Sequence, residues 1–389
     1  VRIKRMTITE VLTRQVEKIL PSQKGLESLM RKKKIRLYLG VDPTGKHLHL
    51  GHTIALRKLQ QFANLGHEAI LVIGTGTVLA GDPSQRATAR SRITQKEIAE
   101  NIKTWKAQAA KVVDFSKVKI RRNGEWLAKL RLPQILDIAS YVSASQLFQR
   151  DMFQARLSRG DTVWTRELLY PLLQGFDSVV LDVDLEIGGL DQLFNMLVGR
   201  ELQKKIRLRE KYVLCVPMLM GLDGKQMSKT SGNTVNILDA PQDMYGKLMS
   251  MKDELIPHYF ELCTEVRPQE TKGLAPREAK ARLAREIVAL YHGVVAAKKA
   301  EQEFNKVFQK RQAPSNIPGF AMKQLPISMS LASLVCGIGF ENSKSAARRL
   351  IEQGGVRVDG KAIKDPTYVV HLRKGMVLQK GQRRFLEIV

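Results

Sequence analysis

The apolar positions of this chain change period as it advances. Leu37–Val41 and Ala69–Gly74 are short continuous apolar runs, suited to strands buried on both faces. Between them Ile54, Leu56, Leu59, Phe62 and Leu65 recur at helical spacing, and Gly66 supplies a stop. A strand, a helix and a second strand joined this closely form a βαβ unit and predict a parallel sheet. Apolar runs starting at Val179 and spanning Val213–Met220 predict further strands, and the alternation in Lys117–Arg121 predicts a half-buried one. Residues 7–34 read as amphipathic helix interrupted near Pro21, and residues 95–112 as a polar helix. Over 126–160 the helical pattern carries a surplus of large apolar side chains, among them Leu132, Leu136, Leu147 and Phe153. That surplus suits either a subunit interface or core helices.

The character changes after Pro241. Helical patterning runs to about residue 310, with Pro276 opening a helix whose Leu283, Ile287 and Leu290 face inward. Ala313–Pro326 holds three prolines and reads as a linker. Beyond it Ser343 caps a helix in which Lys344 and Arg348 share a face beside Arg349. Gly354–Gly355 ends that helix, and Val356–Val358 turns at Asp359–Gly360, a hairpin signal.

Charge sharpens the picture. Among 389 residues, 64 are basic and 38 acidic, for a net charge of +26. This balance points to a polyanionic partner, nucleic acid above all. Cys215, Cys263 and Cys336 lie in largely apolar runs without metal-ligand spacing and read as reduced packing residues of a cytoplasmic protein. No apolar run reaches membrane-spanning length, and no signal-peptide core follows the basic start, so no membrane partner is expected.

The candidate chemistry gathers at the ends of the predicted strands. Asp42-Pro43-Thr44-Gly45 is turn chemistry after the first strand, and it places His49, Gly51 and His52 at a helix N-terminus. Free amides and the helix dipole favour an anion there. Asp82 suits an ammonium, while Arg86 and Arg90, one helical turn apart, suit phosphate or a solvated basic face. Tyr170, Gln174 and Asp177 fall on one face of a helix, and a carboxylate in such a wall needs a polar ligand. Gly188–Gly189 lets backbone approach a nucleotide, with Asp191 next to it for ribose hydroxyls. The segment Gly221–Asn233 is a glycine-bounded loop whose lysines can close over phosphates.

These segments together resemble the class I aminoacyl-tRNA synthetases. His49-Leu50-Gly51-His52 is similar to their first signature, and Gln226-Met227-Ser228-Lys229-Thr230 to their second. In the second, Gln226 stands where a lysine is usual, with Lys225 just before it. Tyr38-x-Gly40-x-Asp42-Pro43-Thr44, the Tyr170–Asp177 pattern and the Gly-Gly-x-Asp-Gln segment resemble the bacterial tyrosyl-tRNA synthetases in particular. Ser345–Gly360 resembles the S4 RNA-binding domain.

The resemblance implies an α/β protein. A Rossmann-like parallel-sheet catalytic domain would span 1–233, with an inserted interface segment at about 120–165. An α-helical domain at 234–312, a linker at 313–326 and a small α+β S4-like domain at 327–389 would follow. It implies ATP with bound Mg²⁺, L-tyrosine and tRNA(Tyr) as partners, no separate metal site, and a homodimer. Asp82, Tyr170 and Gln174 would hold the amino group of tyrosine, Gln192 would also bind tyrosine, and Tyr38 and Asp177 would hold its phenol oxygen. Gly40, Asp42, His49, Gly51, His52, Gly188, Gly189, Asp191, Met227 and Lys229 would line the ATP site. Thr44, His49, His52, Lys229 and Thr230 would act in catalysis, with Arg86 and Arg90 near pyrophosphate. Lys344, Arg348, Arg349, Arg357 and Lys361 would bind RNA.

Overall fold

The computed structural model describes residues 6–84, 93–227, 232–309, 317–381 and 384–389. The chain divides into two compact units, 1–293 and 294–389. The helical stretch expected over 234–312 is therefore shared between them.

The first unit is built on six strands: β1 (Lys18–Leu20), β2 (Arg36–Val41), β3 (Glu68–Ile73), β4 (Val118–Arg122), β5 (Leu185–Gly189) and β6 (Tyr212–Val216). Their order across the sheet is β1-β6-β5-β2-β3-β4. All neighbouring pairs are parallel except β1 with β6. After edge strand β1, the chain crosses to central β2, builds outward through β3 and β4, then returns to β2's other side with β5 and β6. Strand order reverses between β2 and β5, and a crevice opens beyond the strand ends at such a switch point.

Two expectations are corrected here. Lys18–Leu20 leaves the predicted helix to pair with Val213–Cys215 as an edge strand. Val179–Leu181 does not start a strand but ends the helix Thr165–Leu181, and the strand begins after Asp182 in left-handed conformation. A three-residue apolar run cannot by itself distinguish a helix end from a strand.

The helix Leu50–Asn64 is fixed along its length. Arg57 donates to the Cys263 carbonyl at 2.7 Å and to the Tyr291 hydroxyl at 3.0 Å, tying it to the helices Ile256–Cys263 and Pro276–His292. Lys58, fully buried, donates to the Val11 and Arg14 carbonyls at 2.7 and 2.6 Å. Buried cations are tolerable only when so paired, and these hold the helix N-terminus in a set position.

The second unit packs the helices Leu331–Gly337 and Lys344–Glu352 on a five-stranded sheet, with Leu334, Val335, Ile351, Val356, Leu378 and Ile388 in its core. Ser343 accepts from the Ala346 amide at 3.2 Å as the N-cap. Asp359 and Gly360 both take positive φ, 47° and 80°, as a tight hairpin requires. Gly319–Phe320, inside the stretch read as linker, adds a parallel strand beside Arg384–Ile388.

Candidate active site

The switch-point crevice holds a cavity of about 210 Å³. Gly40, Asp42, Thr44, His52, Asp82, Tyr170, Gln174, Asp177, Gly188 and Gln192 line it, drawn from five separate stretches of chain.

The polar groups of the cavity brace one another. Asp42 Oδ2 accepts from the Tyr170 hydroxyl at 3.0 Å and Oδ1 from the Thr77 hydroxyl at 2.7 Å. Gly74 makes room for that carboxylate: a Cβ there would lie 1.8 Å from Asp42 Oδ1. Asp82 accepts from the Ser84 amide and from Gln192 Nε2, both at 2.9 Å. Gln192 also donates to Asp191 at 3.0 Å, and burial raises the Asp191 carboxyl above its ordinary range. A Cβ on Gly188 would meet Met196 Sδ at 2.8 Å, and one on Gly189 would meet Asp191 Oδ1 at 2.3 Å. A side chain at either glycine would displace Met196 or Asp191.

Asp177 is buried, and it accepts from Trp126 Nε1 at 2.8 Å and from Asn123 Nδ2 at 3.1 Å. Burial pushes its carboxyl up to about 7, against the pull of those two donors. Tyr38 is fully buried, and its hydroxyl lies 3.0 Å from Ser178 Oγ, one residue on from Asp177. Burial, followed by the Asp177 charge, raises the Tyr38 phenol well above its usual value.

His52, which lines the cavity, sits in the first turn of the Leu50–Asn64 helix, and His49, which is not among the lining residues, caps that helix. The His49 amide donates to His52 Nδ1 at 3.2 Å, so a neutral His52 carries its proton on Nε2. The two rings lie 3.8 Å apart. A Cβ on Gly51 would sit 3.1 Å from the His49 ring and 3.5 Å from Met227 Sδ. The Leu50 amide donates to the Val235 carbonyl and the Ile237 amide to the Leu48 carbonyl, each at 3.0 Å. The two sequence signatures therefore meet: Met227 and Val235–Ile237, on either side of the 228–231 stretch, both abut the helix start. Lys229, Thr230, Arg86 and Arg90 lie outside the described residues.

Sequence reasoning missed Thr77, Asn123, Trp126, Ser178, Glu186 and Lys211. Asn123 had a usable signal, since it follows directly on strand β4 at the ligand end of the sheet. Lys211 and Glu186 had none, being single charges in or beside apolar runs.

The chain matches the family model for class I tRNA synthetases (W and Y) over residues 30–309 and that for the S4 domain over 329–377. It belongs to the class I aminoacyl-tRNA synthetases. It is 41% identical to the tyrosine–tRNA ligase of Moorella thermoacetica, covering 97% of this chain and 94% of that protein. It is 40% identical to that of Thermotoga maritima, covering 97% and 96%. Within the class, then, the chain belongs to the tyrosine–tRNA ligase family. Among solved structures it resembles the C-terminally truncated mitochondrial tyrosyl-tRNA synthetase of Aspergillus nidulans, with a TM-score of 0.67, 21% identity and coverage of 78% and 95%. It also resembles the Archaeoglobus fulgidus tyrosyl-tRNA synthetase complexed with L-tyrosine, with a TM-score of 0.60, 22% identity and coverage of 76% and 100%. These last two establish the fold.

Proposed function

We propose that this chain charges tRNA(Tyr) with tyrosine in two steps at the cavity between β2 and β5. A tyrosine carboxylate oxygen attacks the α-phosphorus of ATP, the bond to the β-phosphate breaks, and diphosphate leaves. A ribose hydroxyl at the tRNA 3′ end then attacks the carbonyl of tyrosyl-adenylate and AMP departs. The observation that carries the reading is the buried Asp177 carboxylate, set at the cavity wall by Trp126 and Asn123 beside the Tyr38 hydroxyl. An acceptor held in apolar surroundings rewards a substrate hydroxyl and penalises its absence.

The remaining groups take roles consistent with their positions. Gln174 Oε1 is buried and accepts no hydrogen bond among the described residues, while its amide nitrogen is engaged by Glu186. That leaves an acceptor for the substrate ammonium beside Asp82 and Tyr170. The start of the Leu50–Asn64 helix, with Thr44, His49 and His52, faces the growing charge on the phosphates, and Lys229 and Thr230 add donors from the adjoining segment. Asp191, beside Gly188 and Gly189, takes the ribose hydroxyls, while Arg86 and Arg90 serve the departing diphosphate. No protein nucleophile is required; catalysis rests on positioning and electrostatics. Mg²⁺ is taken to arrive with ATP as part of the substrate.

The active form is a homodimer. Leu132, Leu136, Leu157 and Trp164 are 68%, 61%, 47% and 53% exposed, all within the inserted segment at about 120–165. Large apolar side chains at that density mark an interaction surface. Exposed Lys344, Arg348, Arg349, Arg357 and Lys361 in the second unit bind the tRNA backbone. No helix among the described residues is long and apolar enough to cross a membrane. The proposed role in charging tRNA implies a cytoplasmic location.

Amino-acid-dependent exchange of labelled pyrophosphate into ATP tests the reading, with tyrosine, tryptophan and buffer alone. Exchange with tyrosine only is expected. Exchange with tryptophan alone, or none with either, overturns it.

A further inference from the structure

Behind the cavity lies a buried ion pair that the reaction just described does not use. Lys211 and Glu186 are each 1% exposed, and their charged ends are in direct contact. Lys211 Nζ also donates to Ser178 Oγ at 2.5 Å, and it lies 5.7 Å from the centre of the Tyr38 ring. Ser178 Oγ is 3.0 Å from the Tyr38 hydroxyl and 3.4 Å from Glu186 Oε2. Glu186 Oε1 takes the Gln174 amide at 3.0 Å.

We infer that Lys211, acting through Ser178, sets the direction of the hydrogen bonds at the phenol end of the pocket, so that Tyr38 offers its proton to the substrate oxygen. The argument rests on which groups can donate. Burial pulls Lys211 well below its ordinary value, but direct contact with the Glu186 carboxylate keeps it an ammonium. An ammonium has donors and no acceptor, so Lys211 occupies a lone pair of Ser178. The Ser178 proton then has two acceptors, Glu186 Oε2 at 3.4 Å and the Tyr38 oxygen at 3.0 Å, and the shorter contact, away from the carboxylate oxygen that Lys211 already holds, takes it. Tyr38 therefore receives from Ser178 and keeps its own proton for another partner. The backbone carbonyl of Gln174, at 3.5 Å, is a poor competitor for it. Asp177, when ionised, can only accept. A substrate group satisfying both must accept from Tyr38 and donate to Asp177, which a hydroxyl does. A bare phenyl ring does neither, and an aromatic amine donates well but accepts poorly. The same ion pair also turns the Gln174 amide nitrogen away from the substrate ammonium and leaves its oxygen free. Lys211, Glu186 and Ser178 are thus positioning residues for both ends of the amino acid.

This inference rests on the tyrosine reading above, and its test separates the two. Removal of Lys211 or Glu186 would strand a buried charge and endanger folding, so Ser178→Ala is the variant of choice. Pyrophosphate exchange is measured with tyrosine and phenylalanine in wild type, Ser178→Ala, Tyr38→Phe and the double variant. Ser178→Ala is expected to lower the tyrosine-to-phenylalanine ratio of kcat/KM about tenfold, through the KM for tyrosine, with the KM for ATP unchanged. In the Tyr38→Phe background the same change should leave that ratio where it is. An equal loss in both backgrounds, or parallel loss with both amino acids, overturns the inference. A second measurement needs no variant: wild type should use 4-aminophenylalanine at least about tenfold less well than tyrosine, and equal use overturns the inference. Wild type inactive with tyrosine would sink the functional reading, whereas a tyrosine-active wild type with an unchanged ratio in Ser178→Ala sinks this inference alone.

Discussion

Trp126 donates its indole N–H to the Asp177 carboxylate over 2.8 Å, joining a short helix after β4 to the helix that forms the cavity wall. Together with Asn123 it keeps a carboxylate usable as an acceptor where burial opposes its charge. Because burial raises Asp177 to about 7 in the folded protein from 3.8, its contribution to stability is present at low pH and is lost as pH rises through about 7. The ligand-free wild type should therefore lose more thermal stability between pH 6 and 8 than Asp177→Asn, as read by differential scanning calorimetry. Tyrosine binding should run the other way, strengthening over the same interval as the acceptor ionises. Parallel stability profiles in the two proteins would contradict the assignment.

Gly74→Ala is expected to damage tyrosine binding from outside the tyrosine contacts. The new methyl would lie 1.8 Å from Asp42 Oδ1 and 2.5 Å from Thr77 Oγ1. Asp42 must move, and the Tyr170 hydroxyl loses its hydrogen bond to that carboxylate. The KM for tyrosine should rise about tenfold or more for one lost charge-assisted hydrogen bond. Steady-state exchange at varied tyrosine checks this, and an unchanged KM would show that Asp42 does not set Tyr170.

Lys229→Ala should slow adenylate formation while scarcely changing tyrosine affinity, because the charge that lysine serves grows on the phosphates during reaction. A loss of about a hundredfold in the single-turnover rate is expected for one such donor. Stopped-flow fluorescence measures it, and a variant with a wild-type rate would remove Lys229 from the step.

Leu132→Asp with Leu136→Asp should leave the fold intact, since both side chains are largely exposed, and should dissociate the dimer. Analytical ultracentrifugation reads the mass directly. A variant that sediments as the wild type does would place the interface elsewhere.

Charge reversal at Arg348 and Arg349 should raise the KM for tRNA about tenfold and flatten the salt dependence of charging, while pyrophosphate exchange stays at wild-type rates. Both side chains are exposed in the compact unit 294–389, outside the unit that carries the cavity. Unaltered charging across a salt series would remove them from the RNA surface.

Much of the cavity was legible before any coordinates. Tyr170, Gln174 and Asp177 declared themselves by helical spacing, and His49, Gly51 and His52 by a strand, a turn and a helix start. The braces around them were not legible. Asn123 and Trp126 reach Asp177 from more than 50 residues away in sequence, at separations of 54 and 51. Lys211 reaches Glu186 from the neighbouring strand, where it precedes an apolar run without periodic mark. Edge strand β1 was hidden for a related reason, since its three residues form a strand only because β6 offers a free edge.

The sequence alone determined the alternation of strands and helices, the turn and capping residues, the basic C-terminal module and the residue types at the cavity. Those depend on period, backbone preference and charge, all of which are local. Tertiary structure decided the switch point between β2 and β5, the meeting of Met227 with Gly51, and the partners of every buried charge. Those depend on which distant segments become neighbours, and a buried donor or acceptor has no defined role until the group that satisfies it is in place.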